Sequence, residues 1–168
     1  MRHHVQIAAS WVLGLMTGSS VVLGCLSVSV NKEDSGLRSI IFDEASVRSL
    51  LDRGPSCAFD SDRPVDGFWT PTGEDVARFE RSFPSYIRSI GTPEGLGPQR
   101  RYLRQFVGIQ SQGRRLIYVR LVHEDAPAAR EIFNKRLVRV CDGGPWYGSL
   151  FYDVVSGDYS DLGFQSGY

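Results

Sequence analysis

The clearest pattern in the chain is a switch in the period of its apolar positions near residue 100. Before it, Val76, Phe79, Phe83, Tyr86, Ile87 and Ile90 recur at helical spacing. After it, residues 101–110 alternate, with Leu103, Val107 and Ile109 on one side and Tyr102 and Phe106 on the other. Ser111-Gln112-Gly113 then reads as a hairpin turn. Residues 114–122 return as a strand, with Leu116, Tyr118, Arg120 and Val122 opposite Ile117, Val119 and Leu121.

Local signals place further elements around this hairpin. Asp43 can cap a short helix over 44–53, with Val47, Leu50 and Leu51 on one face and Gly54-Pro55 as its stop. The second helix is expected to start at Thr70-Pro71, with Glu74 and Asp75 in its first turn where acids suit the helix dipole. Pro84 should kink or restart it. Asp125 is expected to cap a third helix over 126–136, with Ala129, Ile132 and Phe133 as its apolar stripe. Residues 137–141 read as a short strand, Asp142-Gly143-Gly144-Pro145 as a turn, and 146–155 with 159–164 as a second hairpin. Hairpins with helices grouped on one face predict a two-layer α+β domain, helices packed on a curved antiparallel sheet, for which a cystatin-like arrangement is possible.

The N-terminus carries a different pattern. No charged residue occurs between Arg2 and Lys32, and the uncharged run ends at Val22-Leu23-Gly24-Cys25. A basic start, an apolar middle and a small residue are the layout of an export signal. A Cys directly after Leu-Gly resembles a lipobox, in which the Cys is acylated and becomes the new N-terminus. Cleavage nearby by an ordinary signal peptidase and retention as a membrane anchor are the competing readings. The expected organisation is a signal peptide over 1–24, a lipidated Cys25 with a polar tether to residue 40, and one globular domain over 41–168. Leu26 behind an acylated Cys25 resembles lipoproteins sent to the outer membrane.

Cys25 belongs to that signal, which leaves Cys57 and Cys141. An oxidising envelope favours a disulfide between them. Closing so long a loop is worth about 4.5 kcal/mol in the chain-entropy account. The alternative, a catalytic thiol, would have to use His123, the one His after the signal.

Charge and candidate chemistry narrow the function more by exclusion than by assignment. Lys plus Arg and Asp plus Glu both number 19, so no basic excess argues for a nucleic-acid partner. Arginine is concentrated over 94–139, whereas 140–168 carries Asp142, Asp153, Asp158 and Asp161 and neither Lys nor Arg. Asp60, Asp62 and Asp66 precede Gly67, but from Asp60 the sixth position is Val65 and the twelfth is Pro71, which is not a calcium loop. One His cannot supply a zinc site. No metal, cofactor or catalytic residue is therefore assigned. Asp142 and His123 are the only acid–base candidates, and a Gly-rich turn and a surface turn explain them as well. Trp146, Tyr147, Tyr152 and Tyr159 crowd the last hairpin, and such residues dominate protein interfaces.

Three segments together resemble a family of small, uncharacterised, exported bacterial lipoprotein-like domains. They are Asp66-Gly67-Phe68-Trp69-Thr70-Pro71-Thr72; Tyr102-Leu103-Arg104-Gln105-Phe106-Val107-Gly108-Ile109 with Gly113 and Ile117-Tyr118-Val119; and Val140-Cys141-Asp142-Gly143-Gly144 with Trp146, Gly148, Tyr152-Asp153, Gly157 and Phe164. The resemblance implies location and fold more than activity. The expectation is a periplasmic, membrane-anchored lipoprotein that binds a protein partner in the envelope as an inhibitor or immunity-like module. A cell-envelope hydrolase using Asp142 or His123, or a structural envelope lipoprotein, are the alternatives.

Overall fold

The computed structural model describes residues 29–31, 39–51, 63–91, 98, 101–126, 129–140 and 143–164. Cys25, Cys57, Cys141 and Asp142 lie outside the described residues, and with them the expected acylation site, the expected disulfide and one acid–base candidate. The described chain forms one open, mostly antiparallel seven-stranded sheet with helices, an α+β fold. The strands are β1 (Ser29–Asn31), β2 (Ser39–Phe42), β3 (Gly67–Trp69), β4 (Tyr102–Ser111), β5 (Arg114–His123), β6 (Tyr147–Asp153) and β7 (Tyr159–Phe164). The helices are α1 (Glu44–Leu51), α2 (Gly73–Ile90) and α3 (Ala129–Ile132).

Strand β4 is the spine. One of its edges pairs along its whole length with β5, from Tyr102↔His123 to Ser111↔Arg114. The other edge is divided. Its first half takes β2 in parallel, Ser39↔Arg104 to Phe42↔Val107, and its second half takes β3 antiparallel, Gly67↔Gln110 to Trp69↔Gly108. Strand β1 adds outside β2, and β6 and β7 continue the meander on the far side. The close approach of β3 requires glycine at 108, because a Cβ there would lie 2.3 Å from the Trp69 carbonyl oxygen and 2.6 Å from its indole.

Both faces of the sheet are buried, which departs from the two-layer expectation. On one face Phe106, Ile117, Val119, Leu121, Leu150 and Tyr152 pack beneath Val76, Phe79, Phe83 and Ile87 of α2. On the other, Leu103, Val107, Ile109, Tyr118, Val122 and Phe151 pack beneath Val47 of α1, with Phe133, Leu137 and Val138 beyond α3. A strand buried on both sides reads as nearly continuous apolar sequence, and β4 and β6 are buried at almost every position.

The helix ends follow local chemistry. Asp43 Oδ1 accepts from Ser46 N at 2.7 Å, as its capping role requires. Helix α2 starts two residues later than Thr70-Pro71 suggests. Thr72 Oγ1 accepts from Asp75 N and Asp75 Oδ2 accepts from Thr72 N, a reciprocal box that fixes the first turn. The helix also runs through Pro84 without a restart. Phe79 and Phe83 on one side of the proline and Ile87 on the other are all buried against the sheet, so packing holds both halves in line.

Three expectations are corrected here. The tether is shorter than its polar composition suggests, because β1 and β2 lie within residues 25–40 or at their border and belong to the sheet. The third helix spans only Ala129–Ile132, and residues 137–140 follow without strand pairing. Gln105 causes both effects. Its Nε2 donates to the carbonyls of Phe133 (2.8 Å) and Arg136 (2.9 Å), and its Oε1 accepts from Val138 N (2.7 Å). Those backbone groups are thereby turned toward β4 instead of toward a continuing helix or a sheet neighbour.

Candidate partner-binding site

The four aromatic residues offered by the last hairpin separate sharply. Tyr152 is 1% exposed and Tyr147 5%, whereas Trp146 is 40% exposed. Tyr159 is half-buried. Tyr147 and Tyr152 are thus corrected from partner contacts to core residues, since neither face of β6 is open to solvent. The Tyr152 ring packs edge-on against Phe79 at 5.6 Å and tilted against Tyr159 at 5.0 Å. The Tyr147 ring lies 5.8 Å from the Arg120 guanidinium carbon, and burial raises its pKa. Tyr159 stacks on Tyr86 and donates to the Phe79 carbonyl, which makes it a clasp between β7 and α2.

Trp146 stands alone among them as a surface group, and its mounting is firm. It ends a 3-10 turn, Gly144–Trp146, that closes with Tyr147 N donating to the Gly144 carbonyl. Gly144 adopts φ +59°, which suits glycine. The Tyr102 hydroxyl reaches across from β4 and donates to the Pro145 carbonyl at 3.1 Å. The Tyr102 ring in turn meets His123 edge-on at 5.1 Å and Phe164 at 5.8 Å. Continuing the pairing of Val122 with Tyr147 places Trp146 at the level of His123, so the indole crowns the β5–β6 end of the sheet.

Charged groups flank this aromatic corner. Arg101 Nε donates to Glu124 at 2.9 Å, and its Nη2 pairs with Asp125. The Glu124 hydrogen bond is the chief cause that raises the Arg101 pKa. His123 Nδ1 accepts from Asp125 N at 3.2 Å, which leaves Nε2 as the ring nitrogen for any other contact. Asp125 is engaged by Arg101, and α3 begins four residues after it. This arrangement can present an indole and a fixed set of hydrogen-bonding charges to another molecule. Sequence reasoning named Trp146 and His123 but missed Arg101 and Tyr102 as their supports. The signal was available in the β4–β5 register, which brings Tyr102 opposite His123.

Two arginines are buried in the sheet on opposite faces. Arg104 lies beneath α2, 3.6 Å from Glu80 Oε1 and 5.5 Å from the Phe83 ring centroid, and burial lowers its pKa. Arg120 lies on the other face, where its Nη2 donates to the Val140 carbonyl at 2.9 Å. Both are enclosed by the core, so they act as internal ties. Among the described residues, no three or more His, Cys, Asp or Glu side chains gather as a metal site, and no helix is long and apolar enough to cross a membrane.

No protein-family model matches the chain, and no curated protein or solved structure matches it.

Proposed function

We propose that the chain is an exported lipoprotein, anchored through acylated Cys25, whose domain binds a protein in the bacterial envelope as an inhibitor or immunity-like module. The observation that carries the binding part is Trp146. It is the one aromatic residue of the last hairpin that is exposed, and it sits on a turn fixed by Tyr102 and Gly144. A large amphipathic side chain presented rigidly loses little entropy on docking, and Trp is the residue type most enriched at binding hot spots. The flanking Arg101, Glu124 and Asp125 supply a polar rim. The anchoring part is supported by the uncharged run that closes at Leu23-Gly24-Cys25, and Leu26 supports an outer-membrane destination.

The test uses the full chain expressed in a bacterial envelope. Trp146→Ala should lose a stoichiometric protein partner in affinity capture while the domain stays folded, at a cost of about 2 kcal/mol for a side chain that is 40% exposed. Equal capture by both proteins would overturn the binding site. Cys25→Ser should abolish incorporation of labelled fatty acid into the protein, and unchanged labelling would overturn the acyl anchor.

A further inference from the structure

We infer that the β4–β5 hairpin end of the domain rests in the phospholipid headgroup layer, so that the Trp146 end points away from the membrane. The inference rests on the anchored reading of Cys25 given above. It comes from how little chain separates that residue from the sheet.

Residues 26–28 are all that lies between Cys25 and the first residue of β1, Ser29. Four Cα steps span at most about 14 Å. The register fixes where that short link enters. Ser29 pairs with Ile41, which pairs with Phe106, and β1 runs antiparallel to β2. The chain therefore enters β1 from the side of the β4–β5 turn and moves away from it. Along β4, the turn at Gln112 lies about 20 Å beyond the level of Phe106. A link of about 14 Å thus leaves the hairpin tip about 6 Å past the plane that Cys25 can reach. The headgroup layer of one leaflet is about 5–7 Å thick, which accommodates that excess. The opposite orientation fails on the same numbers. A link folded back toward Tyr102 would use about 14 Å simply to reach that level, with nothing left for the reversal.

The chemistry of this end fits headgroups. Gln110, Gln112, Arg114 and Arg115 are exposed around the Gln112-Gly113 turn. The Arg115 guanidinium carbon lies 4.0 Å from the centroid of the Trp69 ring, and the residue is exposed, so its N–H groups suit phosphate oxygens. Arg78 Nη1 donates to the Val154 carbonyl, and Val154 N to the Arg115 carbonyl, so the β6–β7 turn stands at the same end. That turn carries Val155, 84% exposed and the most exposed large apolar residue among those described. Of the carboxylates here, Asp66 is turned to Gln112 N, Asp75 to Thr72 and Asp153 to Arg114, Glu74 lies 3.9 Å from Arg78, and Asp158 of the β6–β7 turn is exposed. The result is a polar, guanidinium-bearing end with one apolar side chain, suited to the interface and not to the acyl core.

The test is hydrogen exchange on the acylated chain that begins at Cys25, bound to phosphatidylethanolamine–phosphatidylglycerol vesicles, with the same chain lacking its acyl groups as the unanchored reference. Flotation with the vesicles reads the anchor, and exchange reads which end meets them. Wild type should float, with peptides over 110–116 and 154–158 exchanging severalfold more slowly than in the reference and those over 123–126 and 144–147 unchanged. Flotation without that protection, or with protection at the Trp146 end, would overturn the orientation and leave the anchor standing. Failure of wild type to float would overturn both. A twelve-residue Gly/Ser insertion after Val28 should keep flotation and abolish the protection, because such a spacer adds a mean reach of about 20 Å. Protection that survives the insertion would overturn the argument from link length.

Discussion

The hydroxyl of Tyr159 lies 2.6 Å from Ser82 Oγ and donates to the Phe79 carbonyl at 3.0 Å, while its ring stacks on Tyr86 with centroids 4.4 Å apart. A strand at the edge of the sheet is thereby tied to the helix that covers one face. Tyr159→Phe keeps the stack and removes the hydroxyl, and should cost about 1 kcal/mol in urea unfolding. Burial raises the pKa of this phenol well above its ordinary value. The folded state therefore holds the proton more tightly than the unfolded chain. Its contribution to stability is full below the unfolded pKa and falls away as the pH rises through the alkaline range. Wild type should lose stability there more steeply than Tyr159→Phe, and alkaline melting curves measure the difference.

Gln105 should be the costliest polar residue to replace. Gln105→Leu preserves approximate volume but strands the Val138 N–H and the Phe133 and Arg136 carbonyls. The expected loss is about 2–4 kcal/mol. Amide exchange should accelerate over 133–138 before the sheet opens, whereas uniform acceleration would show that the clamp is not local.

Asp153 governs the acid limb. Burial alone would raise its carboxyl, but the amides of Val155 and Ser156 and the guanidinium of Arg114 outweigh it and hold the pKa below its ordinary value. Because the folded group is the more acidic, its stabilisation is complete above the unfolded pKa and is lost as the pH falls through the folded one. Asp153→Asn retains an acceptor for the two amides. It should cost less than about 1 kcal/mol at neutral pH, since Arg114 is half exposed. It should also flatten the decline in stability between pH 5 and 2.

Gly108→Ala tests the pairing of β3. The new methyl meets the Trp69 carbonyl and indole well inside contact distance, so β3 must shift. A loss of about 3 kcal/mol, at the upper end of overpacking costs, is expected. The near-ultraviolet signal of Trp69 should change with it.

The parts legible in the sequence were those with a sustained period. Ten-residue strands β4 and β5 alternate over their full length, and α2 repeats Val76, Phe79, Phe83 and Ile87 over about three turns. Strands β1 to β3 span three or four residues each, too few for a period to show, and β2 and β3 pair with β4 far along the sequence. The second helical layer was hidden because Val47, Leu137 and Val138 cover the sheet from separate short segments. Nothing in the sequence marks Arg104 and Arg120 as buried, because cations on strands usually face solvent, and only three-dimensional context encloses them. At the candidate site Trp146 was visible by residue type. Tyr147 and Tyr152 misled for the same reason, since a tyrosine in an alternating strand looks alike inside and out.

The divided edge of β4 bears on the order of assembly. Apart from the β1–β2 pair, Ser39 and Gly67 find their partners beyond residue 100, so the strands synthesised first have no larger sheet to join until β4 has emerged. Non-local pairing of this kind slows folding. The local β4–β5 hairpin can form before either, as the surface on which the earlier strands condense. A chain threaded across a membrane from its N-terminus would thus travel without a finished sheet, which is the condition that passage through a narrow translocation channel demands.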